Sequence, residues 1–103
     1  MNFQQLRFVR EALRRDFNFT EVGNALFISQ SGVSKRIREL ELELGVDIFL
    51  RKGKRIIGLT PAGQDIATSA ERILAEVDTL RRHARRHGAQ APSRNPAAET
   101  AWQ

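Results

Sequence analysis

Apolar residues near the start of the chain recur at the three- and four-residue spacing of an amphipathic helix. Leu6, Val9 and Leu13 share one face of this first helix. We expect Phe3 and Phe17, which flank the helix, to join the same core. The pattern breaks around Phe17, so the sequence predicts that the first helix ends just before it.

Two further helices follow, with only a few residues between them. The shorter one starts with a polar cap, for which Asn18 and Thr20 are both suitable. The longer one opens at Ser29, which is another favoured N-cap residue. A short helix followed closely by a capped second helix is the spacing of a helix-turn-helix, predicted here over residues 19–38.

The third helix leads into a predicted β-hairpin. Its apolar face comprises Val33, Ile37, Leu40 and Leu44. Gly45 is a stop signal at its end. Two short apolar runs, 46–50 and 56–59, then flank the basic residues 51–55, which include a glycine. This pattern predicts two strands joined by a basic turn.

A long helix is predicted over residues 60–87, with Thr60 as its cap and Pro61 in its first turn. Apolar residues spaced alternately by four and three form a seam of the coiled-coil type. The seam comprises Ile66, Ala70, Ile73, Val77, Leu80 and Ala84. It either packs back onto its own domain or pairs with a second copy, and its regularity favours a homodimer. Residues 88–103 lack any period and are expected to form a disordered tail.

These elements predict a mainly α fold. Residues 1–59 are expected to form a winged helix-turn-helix of three helices plus a β-hairpin wing. Residues 60–87 are expected to form a dimerisation linker helix that leaves this domain.

The net charge of the chain is +5 over 103 residues. An excess of positive charge favours polyanions, with nucleic acid first and anionic membranes second. No apolar run approaches the length of a bilayer span, no secretory signal is visible and no cysteine is present. We therefore expect a cytoplasmic protein without a membrane partner.

On the third helix, acidic residues are kept off the face that carries Lys35 and Arg38. At about 100° per residue, one face collects Gln30, Ser31, Ser34, Lys35 and Arg38. Glu39 and Glu43 fall on another side. Glutamine can pair with adenine, arginine and lysine with guanine, and serine with a base edge or a phosphate. Gly32 adds no bulk, so the start of the helix can approach the DNA backbone, where its N–H groups attract phosphate.

A solvated polar face is the alternative for such a helix. The capped helix before it and the basic hairpin after it favour the major groove of DNA instead. The basic residues of the hairpin are Arg51, Lys52, Lys54 and Arg55. Of these, Arg51, Lys54 and Arg55 are candidate contacts of a wing to phosphates or the minor groove, although a basic turn can also serve solubility alone.

Catalytic and metal chemistry find no support in the sequence. His83 and His87 lie one helical turn apart, but the neighbouring arginines would repel a cation. No nucleophile–base grouping and no phosphate-binding glycine loop is present. We expect no enzyme activity, no metal and no cofactor.

The stretch Ser29-Gln30-Ser31-Gly32-Val33-Ser34, with Leu40-Glu41, Leu44-Gly45 and Phe49-Leu50-Arg51 after it, resembles LysR-type transcriptional regulators. Leu59-Thr60-Pro61-Ala62-Gly63 is similar to the family's junction between wing and linker helix. The resemblance covers residues 1 to about 87. Asn2-Phe3-Gln4-Gln5-Leu6-Arg7-Phe8-Val9 and Gly53-Lys54-Arg55 are most similar to the CysB branch, which regulates sulfur assimilation.

The resemblance implies a winged helix-turn-helix and an antiparallel linker-helix dimer. It places base-reading and phosphate-contacting roles on Thr20, Gln30, Ser31, Ser34, Lys35, Arg38, Arg51 and Arg55. Family members often carry two alanines where this chain has Val22-Gly23. They also continue into an effector-binding domain, which is not visible in this sequence, so no small-molecule inducer site is expected.

The leading hypothesis is a dimeric, sequence-specific regulator domain that binds double-stranded DNA at a pseudo-palindromic promoter site. A second hypothesis is a protein-interaction module in which the seam docks a partner protein. A third is a truncated regulator that acts through heterodimers. The acid-free polar face of the third helix favours the first hypothesis, since a pure interaction module does not need it.

Overall fold

The computed structural model describes residues 1–88. The elements follow in the order α1 (Phe3–Arg14), α2 (Phe19–Leu26), α3 (Gln30–Leu44), β1 (Phe49–Lys52), β2 (Arg55–Leu59) and α4 (Pro61–Gly88). The strands form one antiparallel hairpin. The order confirms the predicted winged helix-turn-helix followed by a long helix.

Side-chain caps fix where α2 and α3 begin. The Asn18 side chain accepts a 3.1 Å hydrogen bond from the backbone N–H of Glu21, so Asn18 is the cap of α2. Thr20 lies exposed inside the first turn of that helix. Ser29 caps α3 as predicted, because its hydroxyl accepts a 3.1 Å hydrogen bond from the N–H of Gly32. The caps satisfy N–H groups that have no partner inside the helix.

The core lies where α1, α2, α3 and the hairpin meet. Its buried members are Phe8, Val9, Ala12, Phe19, Val22, Val33, Ile37, Leu40, Ile48, Phe49 and Ala67. The ring of Phe49 packs edge-on against Phe19 and Phe17, with centroid distances of 5.5 and 6.2 Å. The expectation that Phe3 joins this core is wrong, because its first-turn position on α1 leaves it 51% exposed.

The hairpin is tighter than the sequence predicted. The pairs Phe49↔Leu59 and Lys52↔Arg55 leave a turn of only Gly53 and Lys54. Gly53 has a φ of +63°, which fits the first central position of a two-residue hairpin turn. Most of the predicted basic turn therefore belongs to the strands themselves.

Helix α4 is attached firmly to the domain at its start. The Thr60 hydroxyl accepts a 2.8 Å hydrogen bond from the N–H of Gly63 and donates to the carbonyl of Asp47. A Cβ on Gly63 would overlap the carbonyl of Ile48, so only glycine permits this approach. The helix ends at Gly88, one residue beyond the predicted boundary, and the rest of the predicted tail lies outside the described residues.

The predicted seam of α4 divides into two parts. Ile66 packs against the core, and Ala70 is buried in a second cluster with Leu6 and Leu74. The first two seam positions thus pack within this chain. This agrees with the alternative prediction that the seam packs back onto its own domain. From Ile73 onward the seam faces outward, and Leu80 is 67% exposed. Within residues 1–88, no helix is both long and apolar enough to cross a membrane.

Candidate nucleic-acid interface

The polar face of α3 points away from the core. Val33, Ile37 and Leu40 on the opposite side are buried. The exposed residues of the predicted face are Gln30, Ser31, Lys35 and Arg38, and Ser34 is half-buried among them. The helical period predicted this division because three apolar positions fix how α3 is rotated on the domain.

A first groove, of about 370 Å³, joins the start of α2, the start of α3 and the hairpin. The predicted contact residues that line it are Thr20, Gln30, Ser34, Arg51, Lys54 and Arg55. Asp16, which the sequence reasoning did not place here, lines the same groove. The groove is therefore rich in hydrogen-bond donors and carries one acid at its rim.

A second groove, of about 620 Å³, lies between the outer face of α3 and the hairpin. Its lining residues are Ser31, Ser34, Lys35, Arg38 and Arg51. Ser34 and Arg51 line both grooves and mark where they meet. Apart from Gly32, every predicted DNA-contact residue lines one of the two grooves.

Gly32 lies outside both grooves. It is half-buried, and a Cβ built there would touch the side chains of Ile28 and Ser29. Its N–H already donates to Ser29, so this N–H is not free to bind a phosphate. Gly32 serves the packing of the helix start, and its approach to the DNA backbone stays a prediction.

Hydrogen bonds along α3 hold two of its polar side chains in place. The Gln30 amide nitrogen donates a 3.0 Å hydrogen bond to the Ser34 hydroxyl. The Ser31 hydroxyl lies 3.2 Å from that of Ser29. These contacts restrain the side chains of the helix start before any ligand arrives.

A buried carboxylate joins α3 to the hairpin. The side chain of Glu41 is 1% exposed, and one of its oxygens accepts hydrogen bonds of 2.8 and 3.2 Å from the N–H groups of Ile48 and Phe49. Its other oxygen accepts a 3.2 Å hydrogen bond from Arg51. These charge-assisted bonds fix the start of β1, and with it Arg51, relative to α3.

The sequence analysis assigned no role to Glu41, which appeared there only as part of the motif shared with the family. Glu41 lies four residues after Ile37 and directly after Leu40, so helical spacing puts it on the buried side of α3. An acid at an apolar helix position is a signal for a buried partner, since an unpaired charge is costly there.

Acids reach the polar face of α3 from its edge. Arg38 forms a 3.2 Å ion pair with Asp47 and lies 3.6 Å from Glu41. By contrast, Lys35, Lys54 and Arg55 form no ion pair with any residue in 1–88. The basic side chains of the interface therefore form two groups. Arg38 and Arg51 are paired with acidic residues, whereas Lys35, Lys54 and Arg55 have no acidic partner in the described part of the chain.

The sequence of the chain is similar to a known family of regulators. The family model described as bacterial regulatory helix-turn-helix protein, lysR family, matches residues 3–64, from the start of α1 into α4. The transcriptional regulator SsuR of Burkholderia cenocepacia is 61% identical over 85 residues, which cover 82% of this chain and 28% of that protein. The regulator CysB of the same organism is 57% identical over 90 residues, covering 87% of this chain and 29% of that protein.

The chain thus spans less than a third of the length of these curated relatives. Among solved structures, a BenM DNA-binding domain in complex with benA site 1 DNA superimposes with a TM-score of 0.78 at 26% identity. That match covers 90% of this chain and all of the other. The relatives confirm the predicted resemblance to the CysB branch. Since the family model matches more than half of the sequence, the chain belongs to the LysR family of bacterial regulatory helix-turn-helix proteins.

Proposed function

We propose that this chain is the sequence-specific DNA-binding part of a dimeric transcription regulator. The observation that carries the proposal is the alignment of two donor-rich grooves along α3 and the hairpin, lined by side chains suited to bases and phosphates. Helix α3 enters the major groove, and the hairpin contacts the backbone or the minor groove. The similar BenM domain was solved in complex with DNA, which supports DNA binding by this chain.

The start of α3 carries the base-reading role in this proposal. Recognition helices of helix-turn-helix proteins contact base edges mainly through their N-terminal residues. Gln30, Ser34 and Arg38 follow one another at four-residue spacing on the exposed face. Glutamine and arginine at such positions suit adenine and guanine.

The hairpin and α2 carry the phosphate-contacting role. Lys54 lies in the turn and Arg55 directly after it, at the far end of the first groove. Thr20 reaches the same groove from the first turn of α2. These contacts hold the duplex against α3 without reading its sequence.

The exposed part of the α4 seam carries dimerisation. Ile73 and Leu80 are apolar and exposed, with Val77 half-buried between them. A second copy that covers this strip brings a second α3 to the next half-site of a pseudo-palindromic promoter site. We also propose a cytoplasmic location and, on the resemblance to the CysB branch, a role in regulating sulfur metabolism.

Selection of bound sequences from a random DNA pool tests the proposal. We expect enrichment of a site with two related half-sites, about one or two helical turns apart. Gel shifts then compare the enriched duplex with a shuffled duplex of the same composition. Absence of enrichment, with no shift at low salt, would refute DNA binding and favour the protein-interaction module.

A further inference from the structure

Asp47 occupies an unexpected place for an acid. It lies between α3 and β1, and its side chain is 70% exposed. Its carboxylate lies 3.2 Å from the Arg38 guanidinium, which also lines the second groove. An exposed negative charge beside a surface that faces DNA weakens binding to any polyanion, since it repels phosphates.

Glu41 does not make Asp47 redundant as a partner of Arg38. The Glu41 carboxylate is buried and already accepts hydrogen bonds from Ile48, Phe49 and Arg51. It lies 3.6 Å from Arg38, farther than Asp47 does. The Arg38 guanidinium therefore donates its orienting hydrogen bond to the Asp47 carboxylate.

The backbone and the side chain of Asp47 have separate tasks. The Asp47 carbonyl accepts a hydrogen bond from Thr60 at the start of α4. The carboxylate contacts Arg38 only, among the hydrogen bonds and ion pairs of residues 1–88. A side-chain substitution at Asp47 therefore leaves the attachment of α4 in place.

We propose that Asp47 is a specificity-determining residue that holds Arg38 away from DNA of random sequence. On random DNA, a single phosphate competes with the Asp47 carboxylate for the guanidinium, and Arg38 stays paired. At the correct site, a guanine edge accepts two hydrogen bonds from the guanidinium and displaces the carboxylate. Arg38 then contributes to binding mainly where the base is right.

This inference rests on the proposed function, because it concerns how DNA sequences are discriminated. It predicts a change in the number of phosphates that the protein contacts. Removal of the carboxylate by Asp47→Asn frees Arg38 for one additional phosphate on random DNA. The salt slope of random binding then steepens by about 0.9, while the slope at the selected site hardly changes.

The experiment measures binding of the full chain to the selected duplex and to its shuffled counterpart between low and moderate salt. The variants are Asp47→Asn, Arg38→Ala and the double variant. Glu39→Gln is the matched control, since it removes one negative charge from an exposed position next to Arg38 on α3, and Glu39 has no ion pair within residues 1–88.

We expect Asp47→Asn to raise affinity for shuffled DNA about two- to fivefold more than Glu39→Gln does. This factor corresponds to the free energy of an exposed ion pair. In the Arg38→Ala background this excess should vanish. An equal effect of Asp47→Asn and Glu39→Gln, or an excess that persists without Arg38, overturns the inference and leaves DNA binding intact. A wild-type chain that binds neither duplex refutes the proposed function and this inference together.

Discussion

The amide nitrogen of Gln30 is held by the hydroxyl of Ser34, one turn further along α3, at 3.0 Å. The two side chains therefore act as one unit on the exposed face of the helix. A glutamine that reads adenine uses its amide oxygen and nitrogen together, so its orientation decides whether both can reach the base. Ser34 sets that orientation before DNA binds.

Gln30→Ala should reduce discrimination between the selected and the shuffled duplex by about 1–3 kcal/mol, the value of a good bidentate base contact. Ser34→Ala should cost less, about 0.5–1.5 kcal/mol, because it removes only the orienting hydrogen bond. Competition binding with the two duplexes measures both effects. Arg36→Ala is the control, since Arg36 lies outside both grooves. Equal losses on both duplexes for Gln30→Ala would contradict a base-reading role.

Arg55→Ala should weaken binding to both duplexes by the same factor, because a phosphate contact carries no sequence information. The salt slope should become shallower by about 0.9 for the lost contact. Titrations at several salt concentrations give both quantities. Arg36→Ala on α3 removes the same charge outside both grooves and should leave the slope unchanged. A sequence-dependent loss for Arg55→Ala would move this residue into the base-reading group.

Glu41→Ala should destabilise the fold, since the buried N–H groups of Ile48 and Phe49 would lose their shared acceptor. Each unsatisfied group costs about 1–3 kcal/mol, which is a large part of the stability of a domain of this size. Urea unfolding measures the loss. The exposed residue Glu39, replaced by alanine, should change stability by less than about 0.5 kcal/mol. Similar unfolding midpoints for the two variants would disprove the role of the Glu41 network.

Leu80→Ser should weaken self-association, because a second α4 would bury this side chain. Burial of a leucine contributes about 1.5–3 kcal/mol, so the dimer dissociation constant should rise about tenfold or more. Sedimentation velocity measures the change. Leu42 on α3 has the same exposed fraction, 67%, and Leu42→Ser should leave self-association unaltered. If the two variants behave alike, the seam is not the dimer contact.

Gly63→Ala should destabilise the attachment of α4, since the added methyl group would overlap the carbonyl of Ile48. Overpacking of this kind costs about 1–3 kcal/mol. Gly58→Ala is the matched control, because nothing lies within 4 Å of a Cβ at that position. We expect Gly58→Ala to be neutral or slightly stabilising, and thermal unfolding of both variants checks the contrast. A stable Gly63→Ala variant would show that α4 can shift without cost.

Local sequence signals predicted the helices, the caps of α3 and α4, and the rotation of α3. Ser29, Gly45 and the spacing of Val33, Ile37 and Leu40 act through neighbouring residues of the same helix, so one sequence suffices to interpret them. The two grooves follow from this rotation, because it turns the polar residues toward the hairpin.

Features that depend on contacts between distant segments were not predictable in the same way. The ion pair of Arg38 with Asp47 forms only because the chain reverses after α3. Ile66 and Ala70 share the period of Leu80, and only the position of α1 decides that they pack inside the domain. Phe3 is a large apolar residue of the kind found in cores, but it lies at the start of α1, one turn too early to reach the core.

The first half of α4 is part of the domain core, through Ala67, Ala70 and Leu74, so the helix has no hinge at its base. A helix of 28 residues is about 42 Å long. A change in the tilt of its far half therefore rotates the whole domain with it as one rigid body. A tilt of about 5° at one end displaces the other by roughly 3–4 Å over that length. In a dimer, small changes in how two such helices cross would set the distance between the two copies of α3.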